Sequence, residues 1–391
     1  MIVPTFTSIC VLGLGYIGLP TAAMFATHGK QVIGVDVNPR VVETLRRGKI
    51  HIEESGLAAF VHAAVATGRL KVDTTPSPAD AFILAVPTPC HDGHKPDVGY
   101  VRSAARAIVP HLRSGNLVIL ESTSPPGTTL DLIPILEESG LRVGEDILLA
   151  HSPERVLPGQ ILTELVQNDR IIGGHTPEAA RAGDKLYRAF VRGKINLTDA
   201  TTAELVKLME NTYRDVNIAL ANEFGRVAAT IGIDVHEAIA LANRHPRVNI
   251  LQPGPGVGGH CIAVDPWFIV DAAPGLTPLI RTARTVNDDQ PRYVMSLIER
   301  AVAGIDNPVI ALLGLAYKAG VDDLRESPSL EIAFRLAERG YQTRLHDAYA
   351  PTLPNGQPLE ANLTAVLRDA DALVILTDHD PYRQLRPDDP G

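Results

Sequence analysis

Cys261, one of only three cysteines in the chain, lies in the glycine-rich stretch GPGVGGHCIAVD (254–265), and Asp265 closes that stretch four residues later. Glycines at 254, 256, 258 and 259 permit positive φ and close approach of a ligand to the main chain. A thiol at the exit of such a loop is placed like a nucleophile. The commoner fate of a free cysteine, a small buried hydrophobe, is the reading for Cys10 in mid-strand and Cys90 in a loop. Lys207 and Asn211 lie four apart in a helical pattern, hence on one face, off the apolar stripe of Leu205, Met209 and Val216. Spacing alone fits an exposed pair equally well; the chemical reading is a cation and an amide that stabilise developing oxyanion charge. Thr123 in ESTSPPG and Glu154 in HSPER each follow a predicted strand, at the carboxyl ends where ligands bind in open α/β sheets.

A second chemistry is written near the start. Gly13-Leu-Gly15-Tyr16-Ile17-Gly18 fits the dinucleotide turn, with an apolar strand (8–12) before it, a helix after it and Asp36 closing the next strand. The glycines allow the turn, the approach of a pyrophosphate and close helix packing, while helix-start amides hold the phosphates. Asp36 would accept from the adenosine ribose and repel a 2′-phosphate, which favours NAD over NADP; Arg40 nearby reads as solvated.

Positioning these groups takes several elements. Strands are expected at 81–87, 116–122 and 146–152 with helices between them, which argues a parallel sheet covered on both faces. A long helix is expected over 201–231, opened by a Thr201/Glu204 capping box, with Leu205, Met209, Val216, Leu220, Phe224 and Val227 as its apolar stripe. From 308, PVIALLGLAYKAG echoes ICVLGLGYIG and leads through a helix to a strand ending in Asp347. This second turn lacks the glycine pattern and carries Lys318, suited to a phosphate of a different ligand. The fold expected is α/β: two Rossmann-like doubly wound domains, 1–198 binding NAD and 306–391 binding the second ligand, joined by a helical middle domain, 199–305, with the ligand cleft between them.

The bulk numbers agree. A chain of 391 residues with 45% hydrophobic and 21% charged residues is ordinary globular composition of two or three domains. A net charge of −9 disfavours nucleic acid, and no apolar run is long enough to insert in a membrane, so a cytoplasmic protein is expected. Three scattered cysteines make neither a disulfide framework nor a zinc knuckle, and HDGH (91–94) reads as a solvated loop, so no metal is expected.

GLGYIGLP, VDVN, AVPTP, ESTSPPGTT, SPERVLPG, KLMENTYRDVNIALANE, GPGVGGHCIAVDP and GLAYKAGVDDLRESP stand in the order found in the UDP-glucose/GDP-mannose dehydrogenase family, and the chain resembles that family over nearly its whole length. The stretch NRHPRVNILQPGPGVGGHCIAVDPWF looks most like members that oxidise UDP-N-acetyl-D-mannosamine. Ala263-Val264 stands where UDP-glucose enzymes carry Pro-Lys, and Ala263 where UDP-N-acetylglucosamine enzymes carry proline. Position by position, the resemblance implies Cys261 as nucleophile, Lys207 and Asn211 as catalytic, and Asp265 with Thr123 and Glu154 as handlers of proton and water. It implies that Arg155, Val156, Lys207, Asn211, Arg214, His245, Arg247, Gly258, Tyr317 and Lys318 meet the UDP-sugar, and that Tyr16, Ile17, Asp36, Thr88, Thr123 and Arg325 meet NAD. Arg247 is of the kind that reaches a neighbouring subunit's site, which implies a homodimer built on the long helix. Two departures stand out: Pro158 replaces a second acid after SPE, and the chain ends at LRPDDPG where relatives continue into one more strand and a basic residue, which implies a truncated or missing last strand.

The expected activity is NAD-dependent four-electron oxidation of the C6 alcohol of a UDP-N-acetyl-hexosamine, foremost UDP-N-acetyl-D-mannosamine, to the uronate through a Cys261 thiohemiacetal and thioester. The rivals are a UDP-N-acetylglucosamine or UDP-glucose 6-dehydrogenase, a β-hydroxyacid dehydrogenase, which oxidises once and needs no thiol, and a non-catalytic nucleotide-sugar-binding module.

Overall fold

The computed structural model describes residues 5–52, 54–91, 93–157, 159–259 and 261–385. Asp92 of the HDGH loop, the Pro158 departure and the last six residues of the expected C-terminal domain lie outside the described residues. The strands are β1 (Ser8–Leu12), β2 (Gln31–Val35), β3 (Leu70–Asp73), β4 (Ala81–Leu84), β5 (Cys90–His91), β6 (Lys95–Pro96), β7 (Leu117–Leu120), β8 (Leu148–His151), β9 (Arg170–Gly174), β10 (Ile195–Asp199), β11 (Val309–Leu313), β12 (Gln342–His346) and β13 (Ala372–Ile375).

Eight of them form one sheet in the order β10-β9-β8-β7-β4-β1-β2-β3, a doubly wound order that runs outward in both directions from β1. Its faces read directly from alternation along β1. Ile9 and Val11 enter one core with Leu19, Met24 and Phe25; Cys10 and Leu12 enter the other with Val101 and Ile108. Covering both faces makes these strands apolar throughout, as expected of parallel strands. The all-parallel expectation fails at one edge, where β9 runs antiparallel to β8 and β10 follows β9.

The chain divides into two compact units, Met1–Met209 with Trp267–Ala272, and Glu210–Pro266 with Ala273–Gly391. In the second, β12-β11-β13 form a three-stranded parallel sheet. Ile310 and Leu312 enter one core and Ala311 and Leu313 the other.

The long helix spans Ala200–Ile231, within a residue of the sequence expectation. Its start differs. Asp199, not Thr201, caps it, accepting from the Thr202 amide (2.8 Å) and hydroxyl (2.6 Å). Glu204 instead reaches the ESTSPPGTT loop, accepting from the Gly127 and Thr129 amides at 2.6 and 2.7 Å. Its buried row is Glu204, Leu208, Asn211, Asp215, Ala219 and Asn222, largely polar, whereas Leu205, Met209, Tyr213, Leu220, Phe224, Val227 and Ile231 are exposed. This is the reverse of an ordinary surface helix.

Candidate active site

The dinucleotide turn is built as its glycines require. Gly13 turns at a φ of 89°, and a Cβ there would meet the Ala85 carbonyl oxygen at 2.4 Å; one on Gly18 would lie 1.8 Å from the Gly13 carbonyl oxygen. At Gly15 a Cβ would meet nothing within 4 Å, so backbone is open where a pyrophosphate approaches, ahead of the helix Gly18–Thr27. Asp36 is half-buried; one oxygen accepts from the Leu14 amide (3.1 Å) and the other from the Asn38 amide (2.9 Å), which fixes the carboxylate at the turn. These residues fit an NAD molecule. Tyr16 and Ile17 are half-buried, with Tyr16 packed on the core, and Arg40 is exposed. Thr88 donates its hydroxyl to the Thr123 carbonyl at 2.6 Å, tying two of the residues expected at NAD.

Glu154 is buried just past the end of β8. One oxygen accepts from the Arg155 amide at 2.7 Å and the other from Arg170 Nη2 at 2.8 Å. The same Nη2 donates to Glu121 Oε1 at 2.6 Å, Arg170 Nε donates to Ser152 Oγ at 2.9 Å, and Tyr187 donates its hydroxyl to Glu121 at 2.8 Å. The guanidinium also sits 4.0 Å over the Tyr187 ring. Burial pushes Glu121 up to about 7, against the pull of Arg170 and with the push of Glu154. Two carboxylates thus share one guanidinium out of water. The sequence reading missed Glu121, Arg170 and Tyr187; the signal was a single charge closing one apolar strand, LVILE, and opening another, RIIGG.

In the second unit, Cys261 is exposed at the exit of its loop. Its carbonyl accepts from the Asp265 amide at 2.8 Å, closing one turn into the helix Asp265–Ala272. Asp265 is 3% exposed, and its Oδ2 accepts from Asn211 Nδ2 at 2.5 Å. The loop is gripped at Gly254, whose amide donates to Asn222 Oδ1 (2.9 Å) and whose carbonyl accepts from Gln290 Nε2 (3.1 Å). Asn222 donates to Asn287, which donates to Asp215, the buried partner of Arg284. A Cβ on Gly258 would come within 2.8 Å of Tyr317 Cβ, and one on Gly259 within 2.9 Å of its ring. The loop therefore lies against the second turn.

That turn repeats the first in detail. Gly314 has a φ of 78°, and a Cβ there would meet the Thr377 carbonyl oxygen at 2.3 Å; the Leu315 amide donates to Asp347 Oδ2 at 2.7 Å. Asp347, however, is buried and fully engaged by the Ala316, Tyr349 and Ala350 amides and His379, which leaves it no role at a ribose. Burial raises its carboxyl, but these donors outweigh burial and hold it well below the carboxylate range.

Of the remaining candidates, Lys207 and Val156 are half-buried, Val156 against the core, and Arg155 donates to the Asp169 carbonyl at 3.0 Å. Arg214, His245, Arg247 and Lys318 are exposed. The Arg247 amide donates to His245 Nδ1 at 3.3 Å. Arg325, expected at NAD, lies in the second unit, forked on Asp323. Cys10 is buried in β1, where burial raises its thiol to about 11. His91 is 3.3 Å from Asp97, and His94 stacks on Trp267 with ring centres 4.1 Å apart, so these two histidines are partly fastened rather than wholly solvated.

Comparison with known proteins follows the same layout. Residues 7–191 match the NAD binding domain of the UDP-glucose/GDP-mannose dehydrogenase family, 201–289 its central domain and 311–390 its UDP binding domain. The NDP-N-acetyl-D-galactosaminuronic acid dehydrogenase of Ralstonia nicotianae is 53% identical over 98% of this chain and 93% of its own. The UDP-N-acetyl-D-mannosamine dehydrogenase of Escherichia coli K12 is 50% identical over 98% of this chain and 96% of its own. The solved UDP-D-ManNAc dehydrogenase of Pyrococcus horikoshii superposes with a TM-score of 0.92 at 45% identity, covering 97% of this chain and 91% of that one. This chain belongs to the UDP-glucose/GDP-mannose dehydrogenase family, NAD-dependent oxidoreductases that act on nucleotide sugars.

Proposed function

We propose that the protein oxidises the C6 alcohol of UDP-N-acetyl-D-mannosamine to UDP-N-acetyl-D-mannosaminuronate. The observation that carries this reading is the pairing of buried Asp265 with Asn211 one helical turn from the exposed Cys261. NAD, when bound, supplies the hydride acceptor for each of two oxidations. Between them the Cys261 thiolate adds to the C6 aldehyde, forming the carbon–sulfur bond of a thiohemiacetal; its oxidation leaves a thioester. Water then cleaves the carbon–sulfur bond and the thiol departs. In sum, one alcohol, two NAD and one water give one carboxylate, two NADH and three protons. Asn211 keeps a second N–H for the oxyanion, and Lys207, one turn earlier on the same helix, adds positive charge for the oxyanion and thiolate. Asp265 orients the water and takes its proton.

NADH yield tests this directly. Two NADH per substrate are expected, and Cys261→Ser should lower four-electron turnover on the order of a thousandfold. One NADH per substrate, or full activity of that variant, would falsify the covalent route. The likeness to the Ralstonia protein favours a second substrate, an NDP-N-acetyl-D-galactosamine, so a panel of both N-acetyl sugars with UDP-N-acetylglucosamine and UDP-glucose separates the specificities. The protein acts as a homodimer through the long helix; its exposed apolar row supports that reading.

A further inference from the structure

We propose that His379 is a positioning residue for the nucleotide half of the substrate: locked in one tautomer between Asp347 and Gly320, it holds the 314–320 turn in the shape that offers Lys318 to a phosphate. The proposal rests on the reading above that Lys318 and Tyr317 meet the UDP-sugar.

His379 is wholly buried, with its ring between the aromatic rings of Tyr349 (4.9 Å) and Tyr382 (5.7 Å). The Gly320 amide lies 3.0 Å from Nδ1. A backbone N–H can only donate, so Nδ1 accepts and the ring proton sits on Nε2, which donates to Asp347 Oδ2 at 3.1 Å. The same oxygen accepts from the Leu315 and Ala316 amides at 2.7 and 3.0 Å. One carboxylate oxygen thus ties the start of the turn directly and its end through the imidazole.

The rest of the turn is held just as closely. Ser327 and Thr377 donate to the Leu315 and Ala316 carbonyls, both at 2.6 Å, and the Tyr317 amide donates to the Asp323 carbonyl at 3.1 Å. Lys318 is the exposed residue between these anchors. Without the imidazole the turn's far end at Gly320 loses its tie, and binding must supply the ordering that the fold now supplies in advance. The NAD turn has its own acid, Asp36, and shares none of these bonds.

The test is UDP affinity by calorimetry together with steady-state kinetics. His379→Leu fills the space without donor or acceptor and should raise both the Kd for UDP and the KM for UDP-sugar about tenfold, with kcat and the KM for NAD within about twofold. His379→Asn keeps an acceptor at the Nδ1 position and should stay within about threefold of the parent. Should the leucine variant fail to fold, His379→Gln, which reaches Asp347 but sets no acceptor before Gly320, is expected to show the same rise. Unchanged UDP affinity in the leucine or glutamine variant, an asparagine variant no better than leucine, or equal losses in the KM for NAD overturns the proposal. UDP affinity is read without turnover, so failure to oxidise any UDP-sugar refutes the function above and leaves this result standing.

Discussion

Asp265 has been taken out of water near an exposed thiol, and the Asn211 amide donates to it. A buried carboxylate that loses such a donor keeps its full desolvation cost. Asn211→Leu should therefore lower unfolding free energy in urea by about 1–3 kcal/mol and lower kcat about a hundredfold, because the amide proposed to meet the oxyanion goes with it. A kcat within twofold of the parent would remove Asn211 from the chemistry. The Glu121–Arg170–Glu154 group yields a prediction of opposite sign. Glu121 is raised to about 7 from 4.5 in the folded chain, so between those values the folded state holds the extra proton. Stability from this group is full below about 4.5 and is lost as pH rises through 7. Glu121→Gln mimics the protonated acid and should match the parent at pH 5 yet gain about 2 kcal/mol over it at pH 8 in urea unfolding. An equal difference at both pH values would rule out the extra proton on Glu121.

At the scale of elements, the reversal of β9 explains how Arg170 meets Glu154. β8 and β9 pair as Ala150 with Gly174 and His151 with Gly173, so continuing that register past the end of β8 sets Arg170 opposite Glu154. A parallel β9 would have set its first residue beside the start of β8, at the opposite end of the strand from Glu154. Nothing local announces that reversal. RIIGG is an apolar run that either direction accommodates, and pairing depends on residues far along the chain. What local patterns do decide was legible. The glycine turn with its acid, its echo at Gly314 and Asp347, and the long helix all rest on short-range geometry, and Gly13 and Gly314 prove to be the same turn. The Thr201/Glu204 capping box was misread because Asp199 offered a better cap and Glu204 had orphan amides to satisfy at Gly127 and Thr129. His379 escaped for the reason Arg170 did: its partners at 320 and 347 are distant in sequence.

For the whole molecule, the long helix matters most. Its buried row spends polar side chains on the protein's own loops: Glu204 on Gly127, Asn211 on Asp265, Asn222 on Gly254. Its apolar row, with Met209 and Val227 each 55% exposed, faces out of the single chain. The proposed homodimer covers that row. Met209→Asp with Phe224→Asp should turn a dimer into a monomer by light scattering, and a parent that is monomeric at micromolar concentration would refute the pairing.

In the proposed homodimer, a chain that covers its apolar row only against a copy of itself cannot have a single melting temperature. By mass action, each tenfold dilution removes about 1.4 kcal/mol from the folded pair relative to two separate unfolded chains. Midpoints measured at different concentrations then differ even though every bond within the chain is the same.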